Sequence, residues 1–148
     1  ASSGARLLQP EAVDALVGRL FPLATVVTPN LMEAQALTGL DTTDRAPLAE
    51  RLVKLGAAAA VVTGGHGPDP ADHLYDGTTH VAIPVPRHAV AATHGAGCTH
   101  SAALAAGLAA GLSLPAAARQ AATVASDAVA HGLPSLGAGD GPVHALHT

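Results

Sequence analysis

The stretch Ala24-Thr25-Val26-Val27-Thr28-Pro29-Asn30-Leu31-Met32-Glu33 decides the fold class. Its first five residues carry no charge and are rich in β-branched side chains, the composition of a buried strand. Thr28-Pro29 stops that strand, and Asn30 supplies an N-cap for a helix through about Leu37, closed by Gly39. Downstream, Asp44 caps a second helix with Leu48, Leu52, Val53 and Leu55 facing inward before Gly56. Ala57 to Thr63 then reads as a second buried strand ending at Gly64-Gly65. Upstream, Pro10 opens a helix whose Val13, Leu16, Val17 and Leu20 fall on one face, with Glu11 and Asp14 in its first turn and Pro22 at its end. Strand, helix, helix, strand at this spacing predicts an α/β fold built on mostly parallel strands with crossover helices.

The pattern changes in the second half. His73-Leu74-Tyr75 and His80-Val81-Ala82-Ile83 flank Asp76-Gly77, which predicts a short antiparallel hairpin. Thr93-His94-Gly95-Ala96-Gly97-Cys98 opens a long Ala/Leu helix ending near Gly111. Ser113 and Pro115 start a final helix to about His131, stopped by Gly132, and the segment from Gly137 to Pro142 reads as a flexible loop. No internal repeat and no domain-scale linker interrupts the chain, and 148 residues suit one compact domain or a piece of a larger one.

Composition narrows the function. Hydrophobic residues make up 49%, enough for a core, while the aromatic share is 1%. With Lys+Arg 7 against Asp+Glu 11, neither base stacking nor phosphate-backbone attraction has residues to draw on, so nucleic acid is not the expected partner. One Cys excludes an internal disulfide framework and a multi-thiolate zinc site. The apolar stretch from Ala102 to Leu112 is too short for a membrane span, and the start, Ala1 to Arg6, has no apolar signal region, so a cytoplasmic protein without membrane contact is expected. Ala1 is not Met, as in a processed or excised chain.

Three segments can carry chemistry. The loop His94-Gly95-Ala96-Gly97-Cys98 runs into a helix whose first N–H groups lack helical partners, and its glycines let backbone close around an anion such as a phosphate. A plain turn before a helix has the same residues. Cys98, in the first turn, gains thiolate character there and suits a base, a nucleophile or a redox sensor; a small buried apolar residue is the competing reading. Asn30 and Glu33, three apart at the carboxyl end of a strand, suit a hydrated Mg²⁺ beside phosphates, or simply form a capping box. Thr63-Gly64-Gly65-His66 is a glycine turn that serves either as a nucleotide lip or as an ordinary strand end. Of the nine histidines, His94 and His100 beside Cys98 and the pair His144-x-x-His147 invite a metal. His94 and Cys98 fall before and at a helix start, His100 points elsewhere, and no acidic motif accompanies them, so no structural metal is expected. His66, His73, His80 and His88 read as surface or turn residues.

In this order, the pieces resemble the carboxyl-terminal half of a ribokinase-fold small-molecule kinase, and most specifically the hydroxymethylpyrimidine/phosphomethylpyrimidine kinase family of thiamine biosynthesis. The resemblance is carried by Ser3-Gly4-Ala5-Arg6-Leu7-Leu8, Thr28-Pro29-Asn30-Leu31-Met32-Glu33-Ala34, Thr63-Gly64-Gly65-His66, Leu74-Tyr75-Asp76-Gly77, Thr93-His94-Gly95-Ala96-Gly97-Cys98-Thr99, and the closing Gly139-Asp140-Gly141-Pro142-Val143-His144. It implies a three-layer αβα sandwich, here the carboxyl-terminal half, as one kinase domain over residues 1–148 that lacks its amino-terminal part. It also implies ATP- and Mg²⁺-dependent phosphorylation of hydroxymethylpyrimidine and then of its monophosphate. Gly95, Ala96, Gly97 and the Cys98 amide match the anion hole for the transferred phosphoryl group. Cys98 matches the base that activates the substrate hydroxyl, Asn30 and Glu33 the Asn-x-x-Glu element that organises Mg²⁺, and Thr63, Gly64 and Gly65 the nucleotide-binding turn.

Two departures qualify the match. Many members carry Lys before the Gly-Gly, where this chain has Thr63, and the first strands, the lid and most of the pyrimidine pocket belong to the part not in this chain. Self-association into a homodimer and a complementary amino-terminal segment are both open as ways of completing the site. A pyridoxal-type vitamin kinase, a non-catalytic nucleotide-binding fragment and, least favoured, a cysteine hydrolase built on Cys98 are the competing functions.

Overall fold

A computed structural model of the chain describes residues 9–65, 70–90 and 92–147. Ser3-Gly4-Ala5-Arg6-Leu7-Leu8 and His66, both part of the resemblance, lie outside the described residues. The chain divides into two compact units, Ala1–Ala82 and Ile83–Thr148, and one strand runs across the boundary.

The first unit begins with α1 (Pro10–Ala15), entered through Gln9 with a proline in the opening turn. The helix does not continue regularly to Pro22. Leu16–Leu20 widens into a π-type turn, closed by the Phe21 N–H on the Leu16 carbonyl, and Phe21–Leu23 tightens into a 3₁₀ turn. The wide turn changes the angular spacing, so Leu16 and Val17 stay against the core while Leu20 is 56% exposed, off the expected apolar face.

Residues 24–28 do not form the full strand the sequence predicts; Thr25 lies in a bend. They make a parallel bridge at Val27–Ala60, and Asn30–Thr63 makes another. The Val27 N–H donates to the Ala59 carbonyl at 3.0 Å, and the Val61 N–H returns to Val27 at 2.8 Å. Pro29, with no N–H, shortens the ladder. α2 (Leu31–Thr38) follows, capped by Asn30 and ended by Gly39 in the left-handed conformation at φ 71, as its residues predict. α3 (Arg45–Lys54) is capped by the Asp44 carboxylate on the Ala46 N–H.

β1 (Ala60–Val62), β2 (Ala71–Tyr75) and β3 (His80–Pro84) form a three-stranded sheet in that order. β1 pairs antiparallel with β2, Val61 opposite Leu74. Parallel pairing is therefore confined to isolated bridges among the described residues. The expected hairpin is present: Gly77 takes φ 93, and the Asp76 carboxylate accepts from the N–H groups of Thr78 and Thr79 and from the Thr78 hydroxyl. Those three donors hold the Asp76 carboxyl below its usual range, the Thr79 N–H most strongly. Phe21, Leu31, Ala34, Leu48, Leu52 and Val62 form the core of this unit. Leu48 and Leu52 are fully buried, each contributing about 1.5–3 kcal/mol of apolar transfer.

The second unit is a helix pair. α4 (Ala96–Ala109) and α5 (Leu114–Ala130) are joined through Gly111 at φ 85. Small residues line the α5 side, where Ala117, Ala118 and Ala121 are fully buried, while α4 buries His100, Leu104 and Gly107. A Cβ on Gly107 would lie 3.1 Å from the Ala117 Cβ, so glycine there permits the close approach. The segment expected to be a flexible loop is pinned in its last part. The His94 N–H donates to Gly141 at 3.2 Å, the Val143 N–H to His94 at 3.0 Å and the His144 N–H to Ala128 at 2.9 Å. Gly141 is buried, and a Cβ on it would strike the Leu133 carbonyl.

Candidate active site

In the first unit, the strand-end bridge puts Asn30 beside Thr63, which brings together two of the sequence-derived segments. Asn30 and Glu33 form a complete capping box: the Glu33 N–H donates to Asn30 Oδ1 at 2.9 Å, and the Asn30 N–H to Glu33 Oε2 at 2.9 Å. Both side chains thus satisfy otherwise orphaned N–H groups of α2. Glu33 is exposed, and a carboxylate oxygen holding one N–H keeps further acceptor capacity. A hydrated divalent cation reached through water fits that arrangement.

The turn after β1 is fixed by groups the sequence reading did not single out. The Thr63 N–H donates to Pro29 at 3.0 Å, and the Gly64 N–H to Asp72 Oδ1 at 2.7 Å. Arg45 Nε reaches the Thr63 carbonyl at 3.5 Å, at the limit of a hydrogen bond. Asp72 and Arg45 are both buried, a placement uncommon for charged residues. Asp72 alternates with Leu74 on the buried side of β2, and a charge at an inward strand position is the signal that could have found it. Gly64 itself is packed against backbone, so that any Cβ would run into the Ala71 carbonyl. The backbone polar groups of Thr63 and the amide of Gly64 are engaged within the protein; the Thr63 side chain and Gly65 face outward to different degrees, half-buried and exposed.

Beyond this turn His73 and His80 are bonded, Nε2 to Nδ1 at 2.8 Å, and Tyr75 stacks on His80 with centroids 4.3 Å apart. His80 also lies 3.3 Å from Glu50. Partial burial first, then the neighbouring His80, pushes the His73 pKa below 6.5. His73 is thus a paired, half-buried group rather than a surface residue. His88 likewise bonds the Ser126 hydroxyl at 2.8 Å.

In the second unit, Gly95 is the N-cap of α4 with φ 91, a conformation open to glycine, and Gly97 and Cys98 occupy the first turn. Among the described residues the N–H groups of Gly95, Gly97 and Cys98 have no protein acceptor, whereas the Ala96 N–H is engaged by Thr93 at 3.1 Å. The expected four-amide cradle therefore presents three donors. The Cys98 thiol is free and exposed, which removes the buried-core reading of this residue. No metal cluster forms around His94, Cys98 and His100; His100 is buried in the helix pair. Among the described residues no helix is long and apolar enough to cross a membrane.

Residues 1–144 match the family model described as phosphomethylpyrimidine kinase. A hydroxymethylpyrimidine/phosphomethylpyrimidine kinase from Rhizobium meliloti is 45% identical, over 99% of this chain and 58% of its own length. The chain thus spans little more than half of that relative. The ADP complex of Bacillus subtilis pyridoxal kinase superposes with a TM-score of 0.85 at 39% identity, covering 93% of this chain and 54% of that one. A pyridoxal kinase from Staphylococcus aureus in complex with AMP-PCP and pyridoxal gives a TM-score of 0.86 at 34% identity, covering 95% and 55%. These structures are ribokinase-like, and the fold class is α/β.

Proposed function

The chain belongs to the phosphomethylpyrimidine kinase family, and from that premise we propose that it carries the phosphoryl-transfer half of an ATP-dependent kinase acting on hydroxymethylpyrimidine and its monophosphate. The observation that supports this most is the start of α4, where three unengaged backbone N–H groups and an exposed thiol share one glycine-bounded turn.

In the proposed reaction the Cys98 thiolate takes the proton of the substrate hydroxymethyl group as its oxygen attacks the γ-phosphorus of ATP. A P–O bond forms, the bond to ADP breaks, and charge accumulates on the equatorial phosphoryl oxygens. The amides of Gly95, Gly97 and Cys98 donate to those oxygens without reorganising, and each such donor is worth on the order of 10²–10³ in rate. Ala96 contributes spacing rather than an amide. In the second step the acceptor is the monophosphate, whose oxygen attacks a second ATP and needs no base.

Nucleotide contacts fall to Thr63, Gly64 and Gly65, with Gly64 serving as the close-packed pivot and Asp72 and Arg45 holding the turn from behind. Asn30 and Glu33 would hold Mg²⁺ through water while keeping α2 capped, and the ion would neutralise phosphate charge. We place these elements in one ribokinase-like αβα kinase domain.

Pyridoxal phosphorylation is the second reading, because solved pyridoxal kinases match the fold closely. Mass analysis of products from Mg-ATP with hydroxymethylpyrimidine, and with pyridoxal in parallel, tests both. Pyrimidine mono- and diphosphate are expected from a site completed by its amino-terminal half. Pyridoxal phosphate alone from that completed enzyme would overturn the first reading, and nucleotide binding without turnover of either substrate would leave a binding module.

A further inference from the structure

Away from these segments, Asp127, His131 and His147 each offer one ligand atom, and those atoms lie within 4.8 Å of one another. We propose that they form a binding site for one borderline divalent transition-metal ion, of the Zn²⁺, Co²⁺ or Ni²⁺ class. Asp127 and His131 are four apart at the end of α5, on one face of the helix. His147 arrives from the tail, which is anchored to the same helix turn by the His144 N–H on Ala128 at 2.9 Å.

The hydrogen bonds set the chemistry. His147 Nδ1 lies 2.9 Å from the His144 carbonyl, so that nitrogen carries the hydrogen and donates it. His147 Nε2 then turns its lone pair towards Asp127 Oδ2, only 3.0 Å away. A cation placed between that ring nitrogen and the carboxylate oxygen would be ligated by both. His131 Nδ1 sits 3.0 Å from the Asp127 main-chain carbonyl and 3.4 Å from Asp127 Oδ1, which keeps this ring beside the carboxylate. The two rings stack at 3.8 Å and 15°, which holds both imidazoles beside the one carboxylate. One dication serves both rings and the shared carboxylate.

An imidazole that donates its second N–H to a backbone carbonyl is the usual orientation of a metal-binding histidine. Two imidazole nitrogens and one carboxylate oxygen suit borderline ions and not Mg²⁺. Asp127 and His131 are exposed, so their side chains can close to tetrahedral spacing, and water has access to a fourth position. The bound ion would fasten the tail to α5.

Titration of the chain with Co²⁺, followed by visible absorption, should show one saturable equivalent that excess Mg²⁺ does not displace and Zn²⁺ does. His131→Ala, His147→Ala and Asp127→Asn should each weaken it on the order of tenfold or more, while His80→Gln, in the other histidine pair, should leave it unchanged. If His147→Ala does not fold, imidazole nitrogen resonances of the unaltered protein decide: Zn²⁺ should move those of His131 and His147 and leave His73 and His80 in place. No saturable binding, equal binding by the alanine variants, loss through His80→Gln, or movement of the other histidine set would each overturn the site.

Discussion

Asn30 and Glu33 are assigned two duties, and substitutions can separate them. Asn30→Ala removes the acceptor 2.9 Å from the Glu33 N–H and leaves that donor to water. α2 has only 8 residues, so the cap is a large share of its terminal hydrogen bonding, and loss of an Asn cap costs about 1 kcal/mol, within roughly 0.5–2. Glu33→Gln keeps an oxygen that can accept the Asn30 N–H but removes a negative charge from the helix N-terminus, worth about 0.3–1 kcal/mol at low salt. Asn30→Ser restores a capping oxygen and should recover most of the stability. Urea unfolding at pH 7 and low ionic strength should therefore rank the unaltered chain and Asn30→Ser above Glu33→Gln, with Asn30→Ala at or below it. In the catalytically complete enzyme, Glu33→Gln should also raise the Mg²⁺ concentration needed for half-maximal rate, a shift stability alone does not produce. Asn30→Ala within about 0.3 kcal/mol of the unaltered chain would refute the capping argument. An unmoved Mg²⁺ titration for Glu33→Gln would remove the carboxylate from metal organisation.

Three further outcomes follow from the same geometry. Cys98→Ala in the complete enzyme should lower turnover on the hydroxymethyl substrate by about 10²–10⁴ with little change in ATP affinity, and spare the monophosphate step more; equal loss in both steps would contradict a proton-transfer role. Gly64→Ala forces a Cβ into the Ala71 carbonyl and should destabilise the first unit by more than about 1–3 kcal/mol in denaturant melts, since backbone must move; near-native stability would show that the turn can yield. His73, with its pKa held below 6.5, binds fewer protons folded than unfolded. Its contribution is complete above pH 6.5 and is lost as pH falls from there through the lower folded value; His73→Gln should flatten that limb of a pH-stability curve, and an unchanged slope would refute the assignment.

Much of the fold was legible because its signals are local. Asn30, Gly39 and Asp44 punctuate helices through bonds spanning two to four residues, and Asp76-Gly77 makes its own turn. The reading failed where a distant partner decides the outcome. Nothing in Leu16–Leu20 announces a π-type turn, and residues 24–28 look like a full strand although Pro29 and a short partner limit them to bridges. The glycine turn before α4 was legible as a helix start, but Thr93's claim on the Ala96 amide is not written in its spacing. Asp72 and Arg45 were missed because their partners lie 8 and 18 residues away. His147 was visible in the sequence as half of His144-x-x-His147, but Asp127 and His131, which lie beside it, are 20 and 16 residues away and share no spacing motif with it.

The pins between residues 141–144, His94 and Ala128 order events in time as well as space. His94 immediately precedes the Gly95 cap, yet the carbonyl and N–H that hold it belong to a segment synthesised after the whole of α4 and α5. A nascent chain growing at about 5–20 residues per second therefore carries the glycine turn for seconds before the segment that holds His94 has been made. During that interval the residue before the Gly95 cap lacks both of the backbone bonds that later fix it.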